Sequence, residues 1–153
     1  MIISEHFTLE ELTRSSIAKR KCIDNQPSEG WEIDNLKLLC TDLLEPIRGN
    51  YGVPFSPSSA YRSKDLNKEI GGAPDSQHCL GLAADIQVPG VSNLVLAWWI
   101  RTHLDFDQLI LEFYDLDAPS SGWVHVSVQF LGNARRHETL VFDGSVFTSG
   151  LPG

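Results

Sequence analysis

The chain has 153 residues, the length of one domain with one continuous core. Twelve Lys+Arg against twenty Asp+Glu give a formal net charge of -8, which argues against a phosphate-backbone partner and against attraction to anionic membranes. No apolar run approaches the roughly 20 residues of a membrane span, so neither nucleic-acid binding nor membrane insertion is expected.

The opening, MIISEHFTLEEL, lacks a cationic end followed by an apolar stretch, so it does not read as a secretory signal. Synthesis in the cytoplasm without a signal peptide is the expectation. Thr8 and Glu11 are spaced as a capping box and predict a short helix, followed by a polar stretch from Cys22 to Gly30. Trp31, Ile33, Leu36, Leu39, Cys40, Leu43, Leu44 and Ile47 recur at three- and four-residue steps, the stripe of an amphipathic helix that Gly49 and Gly52 close.

Beyond Pro54-Phe55-Ser56-Pro57, the run S-S-A-Y-R-S reads as a short strand ending at Arg62. A brief helix over Lys64–Ile70 follows, ended by Gly71-Gly72, then a loop from Ala73 to Gln77 and a buried strand from Leu82 to Val88. Ser92 is placed to cap a helix from Asn93 to Leu104. Gln108–Tyr114 and Trp123–Phe130 have strand character, and the turn residues D-L-D-A-P-S-S-G between them predict an antiparallel hairpin. Thr139–Phe142 is a last candidate strand, and the Gly-Ser-Pro tail is expected to be mobile. Helices early and strands late predict an α+β fold with a small antiparallel sheet, in one domain over 1–153 with its core at about 5–143.

Cys22, Cys40 and Cys79 cannot all pair within the chain and form no CxxC spacing, so they read as reduced thiols. Cys79 adjoins His78, but neighbouring side chains diverge, which favours separate roles.

The chemistry concentrates in S-Q-H-C-L-G-L-A-A-D, Ser76 to Asp85. A catalytic zinc site takes three protein ligands and keeps one position open. His78 and Asp85 are seven residues apart, and Gly81, Ala83 and Ala84 let the chain turn back so that both can face one ion. W-V-H-V-S-V supplies His125, which alternation sets on the face opposite to Val124 and Val126. On residues alone, two His and one Asp scattered through a domain are usually surface residues or satisfied core groups, and a metal site is the less common reading.

S-x-H-x-x-G-x-A-x-D followed by W-V-H-V resembles the zinc D-Ala-D-Ala carboxypeptidase family, whose wider membership includes D-Ala-D-Ala dipeptidases and phage L-alanyl-D-glutamate endolysins. The short phage and prophage members combine an F-T-L-E-E-L-like start, Y-R-S, S-x-H and D-Q-L-I-x-E-F…W-V-H-V-S, all found here in order from Phe7 to Ser127. The resemblance implies a hedgehog-type fold and a zinc metallopeptidase acting on stem peptides of bacterial peptidoglycan, a D,D-carboxypeptidase or L-alanyl-D-glutamate-type endopeptidase. Its place of action would be the cell wall, after release as an endolysin or as part of a virion.

The same resemblance implies His78, Asp85 and His125 as ligands of one zinc ion, with a water in the fourth position. It matches Arg62 to an arginine that holds the scissile carbonyl, with a surface salt bridge as the other reading. Ser76 matches a serine that positions substrate, or it caps its own loop. Many members carry the general base as E-x-x-H, and here that position is Gly122; another branch has a His where Trp123 stands. Glu112 is the remaining candidate base, or else it orients a ligand histidine. The missing E-x-x-H glutamate leaves a second reading, a zinc-containing wall-binding or phage structural module without turnover. A third, a metal-independent interaction domain, requires the trio to be coincidence. His6, His103 and His137 match no ligand, and Trp98-Trp99 read as core. Which bond is cut and the oligomeric state are open at this level.

Overall fold

The computed structural model describes all 153 residues. Helix α1 (Leu9–Leu12) begins at the predicted capping box: Glu11 N donates to Thr8 Oγ1, and Thr8 N donates to Glu11 Oε2 at 2.8 Å. A second helix, α2 (Ser16–Lys21), starts from Ser15 as cap, between the expected short helix and the polar stretch from Cys22, where no separate helix was expected.

The predicted apolar stripe is one rod in three parts. Helix α3 (Gly30–Leu39) runs through a π-helical turn (Cys40–Leu44) into α4 (Glu45–Tyr51). Pro46 accounts for the wide turn, since it offers no N–H and its ring crowds the preceding turn, and the i→i+5 bond from Glu45 N to Cys40 O gives it room. The rod stops at Gly52, which takes the left-handed φ of 65°.

Helix α5 (Lys64–Glu69) and the 3-10 turn Gln77–Leu80 lead into strand β1 (Ala83–Ile86). Helix α6 (Asn93–His103) carries the predicted Ser92 cap. Strands β2 (Gln108–Glu112), β3 (Trp123–Ser127), β4 (Glu138–Phe142) and β5 (Phe147–Ser149) complete a five-stranded sheet in the order β1-β3-β2-β4-β5.

The fold is α+β, and the β2–β3 hairpin forms as expected, with Ile110 opposite His125 and Glu112 opposite Trp123. Three details differ from the sequence expectations. The sheet is mixed, because β4 lies parallel to β2; β3 is already flanked by β1 and β2, so the free edge of β2 is the one β4 takes. The segment before Arg62 is no strand, and only the bridge Ser59–Asp85 ties it to β1. The tail expected to be mobile contains β5, paired with β4, and Trp98 Nε1 donates to Pro152 O at 2.8 Å.

One cluster of 25 buried apolar residues runs from Ile3 to Val128. Leu36, Leu39, Leu43, Leu44 and Ile47 of the rod and Leu96, Ala97 and Ile100 of α6 pack on Ala84, Ile86, Leu109, Leu111, Val124 and Val126 of the sheet. Those strand residues alternate with Asp85, Ile110, Glu112, Trp123 and His125, which therefore share the other face. The helices cover one side of the sheet and leave the second side to the site.

Candidate metal centre

A cleft of about 990 Å³ lies over that second face. Asp85 on β1 and His125 on β3 are direct cross-strand partners, which fixes their side chains side by side. His78 reaches them from the 3-10 turn. Gly81 makes this possible: its φ is 74°, and a Cβ there would come 2.8 Å from Glu32 O. The chain reverses at this residue, and β1 brings Asp85 back beneath His78.

The trio is compact, with His78 and Asp85 buried and His125 partly so. One donor atom from each of His78, Asp85 and His125 lies within 4.8 Å of the others. Asp85 Oδ1 is 3.4 Å from His78 Nε2 and 3.0 Å from His125 Nδ1. His78 is only 3% exposed, and its Nδ1 donates to Ala60 O at 2.7 Å. With its proton committed there, the Nε2 lone pair is directed at Asp85, the tautomer a metal ligand needs.

Protonation fits a divalent cation as well. Burial pulls the His78 imidazole below its ordinary value, more strongly than Asp85 raises it, and keeps the ring neutral. Burial pushes the Asp85 carboxyl up, but its two imidazole neighbours, His78 first and then His125, outweigh this and hold it well below the usual carboxylate range. Two imidazoles and a carboxylate at these distances suit zinc. Cys79, although buried, is not in the group.

Arg62 is built into the same wall and is no surface ion pair. Its side chain is 14% exposed, and Nε, Nη1 and Nη2 donate to Ser59 Oγ (3.0 Å), Asn67 Oδ1 (3.2 Å) and Asp85 Oδ2 (3.4 Å). Ser76 lines the cleft and caps the 3-10 turn, its Oγ accepting from His78 N at 3.2 Å.

Glu112 opens onto the cleft from β2, with its Oε2 accepting from Trp123 Nε1 at 2.6 Å. Burial, then the charge of Asp85, raises its carboxyl above the ordinary value, against the opposing pull of His125 and the Trp123 bond.

The structure thus brings all six sequence-predicted residues to one cleft. Sequence reasoning missed their supports: the Ala60 carbonyl, Ser59, Asn67 and Trp123. Of these only Trp123 had a signal, its alternation with His125 on β3. His6 bonds Glu45 at the surface, and His103 and His137 are exposed. Trp99 packs against the core, whereas Trp98 is half-buried.

An α+β fold with a buried His–Asp–His group at the floor of an open cleft defines a candidate metal-dependent hydrolase. Comparison with known families agrees, matching Peptidase M15 over residues 5–127. The chain belongs to this family of zinc D-Ala-D-Ala carboxypeptidase-like metallopeptidases, which act on peptidoglycan. No curated protein matches the chain. No helix is long and apolar enough to cross a membrane.

Proposed function

We propose that the chain hydrolyses a peptide bond in peptidoglycan stem peptides at one zinc ion held by His78, Asp85 and His125, with a fourth position left to water. The supporting observation is the convergence of His78, Asp85 and His125 within 4.8 Å in a cleft that also holds Glu112 and Arg62. Zinc supplies a Lewis acid that polarises the scissile carbonyl and brings the pKa of the attacking water toward about 7.

The chain's own residues do the rest. Glu112, fixed by Trp123 through one oxygen, takes a proton from the attacking water with the other and delivers it to the leaving amine. Arg62 uses three of the five guanidinium N–H donors on the protein and has two left for negative charge developing on the carbonyl oxygen. Ser76, beside His78, lies where it can contact the substrate backbone. The bond is a D-Ala-D-Ala or L-Ala-D-Glu linkage, and the biological setting is lysis of a host wall by a phage or prophage enzyme.

The test is digestion of purified peptidoglycan with and without chelator, read by mass spectrometry. Fragments that vanish with chelator and return with zinc are expected, and their masses identify the bond. Intact wall with a folded, zinc-loaded protein would instead favour a wall-binding module.

A further inference from the structure

Two arginines line the cleft, and they differ in what they have left to offer. Arg62 has a partner on every nitrogen. Arg136, with its side chain 53% exposed, has no hydrogen bond on Nη1.

Arg136 is nevertheless held firmly. Asp107, fully buried, accepts from its backbone N at 3.0 Å, from Nε at 3.1 Å and from Nη2 at 2.7 Å. Gln77 Nε2 at 2.9 Å and Gln129 Nε2 at 3.1 Å also bond Asp107 Oδ2. Burial pushes the Asp107 carboxyl up, but these bonds, led by those of Arg136, hold it at about 2, so the anchor is ionised at any working pH. Gln77 directly precedes His78, so this anchor is bonded to the turn carrying a proposed zinc ligand. A guanidinium fixed in this way loses little freedom when it takes a second anion.

The free edge has one acidic neighbour, Glu138 Oε1 at 3.8 Å, which is occupied by a 2.7 Å bond from Gln108 Nε2. Gln108 precedes Ile110, the partner of His125, by two positions, and Glu138 pairs with Gln108. Four strand residues at about 3.3 Å each and two interstrand steps of about 4.8 Å root Arg136 roughly 16 Å from His125, while its guanidinium, beside Glu138, lies two strand residues nearer, at roughly 12 Å. That span is two to four residues of extended peptide. Arg136 also lies outside the family match, as do Phe142 and Phe147, which stack at 4.3 Å further along the same cleft. This wall is contributed by the part of the chain beyond residue 127.

We propose that Arg136 is the receptor for a carboxylate of the substrate, two to four residues from the bond cut, and that it makes the enzyme prefer acidic over amidated stem peptides. The proposal rests on the peptidase reading above. Its occupant is a carboxylate because the free edge offers only N–H donors on a charged, planar group, which a carboxylate matches in pairs.

The test uses zinc-loaded protein with the peptide L-Ala-γ-D-Glu-L-Lys-D-Ala-D-Ala and two counterparts. One carries a carboxamide in place of the D-Glu α-carboxylate, the other in place of the C-terminal carboxylate. Both cleavage and calorimetric binding are measured. In the wild type one carboxamide is expected to raise KM and Kd on the order of tenfold to a hundredfold with kcat little changed. Arg136→Gln erases that difference. Glu138→Gln, at a half-exposed position that leaves Asp107 untouched, widens it and serves if the arginine variant fails to fold. Equal handling of all three peptides by the wild type, a preference that survives in Arg136→Gln, or no binding of any peptide would overturn the proposal. A carboxylate preference in binding without any cleavage would uphold the receptor and sink the peptidase reading.

Discussion

Glu112 is where a sequence motif and a folded site diverge most usefully. Its carboxyl is raised, first by burial and then by the charge of Asp85, so in the metal-free protein its ionised form at neutral pH is a cost to the fold. A carboxyl whose folded pKa is raised favours folding below the unfolded value of about 4.3 and loses that contribution as pH climbs through the folded pKa. Glu112→Gln should therefore leave the metal-free protein as stable as the wild type or more so at pH 7, while kcat falls on the order of 10²–10⁴-fold. Zinc content should not change. Metal analysis, thermal melts and turnover of one variant test all three expectations. Zinc lost together with activity would make Glu112 a support for the ligands instead of the base. The proposed metal trio was legible at this scale because each of its residues sits in a local motif. Trp123 as the partner of Glu112 was not, because that contact depends on hairpin register, which ten intervening turn residues do not specify.

Elements explain why a general base cannot stand at the E-x-x-H position of this chain. Gly122 occupies the E-x-x-H position, at the end of the turn that enters β3. Its φ is 67°, and a Cβ built there would lie 1.9 Å from the carbonyl oxygen of Glu112. Any side chain at 122 forces the β2–β3 pair apart at the point where Glu112 meets Trp123. Glu112→Gln combined with Gly122→Glu should accordingly regain no activity, and Gly122→Glu alone should cost at least about 1–2 kcal/mol from the left-handed backbone before the clash is counted. Urea denaturation and turnover measure the two effects, and a double variant with restored turnover would show that the turn can host a base after all. Helix caps at Thr8 and Ser92, the stripe of the α3–α4 rod and the alternation along β2 and β3 were all readable, since each is a local pattern. The parallel β2–β4 pair and β5 were not. They depend on which edge is free once β3 is enclosed, a property of the assembled sheet and of no single segment.

At the scale of the whole molecule the proposed ligands come from residues 78, 85 and 125, which only the folded sheet brings together. An unfolded chain holds no such group, so zinc binds the native state selectively and must stabilise it. At a thousandfold excess over its Kd the gain is about 4 kcal/mol. For a chain of this length, at 2–4 °C per kcal/mol, the melting temperature should rise by about 8–16 °C on zinc loading and fall back with chelator. Asp85→Asn removes the one proposed anionic ligand and should abolish most of that shift while leaving far-UV circular dichroism near wild type. Because one apolar cluster joins both helical segments to every core strand, the rise should appear as displacement of a single cooperative transition. A melt that divides into two steps, with only one moved by zinc, would mean that the cleft face and the helical layer unfold separately, and the single-domain reading would fail with it. An equal shift in Asp85→Asn would place the stabilising ion elsewhere on this acidic chain, and the assignment of the trio as the metal site would have to be withdrawn.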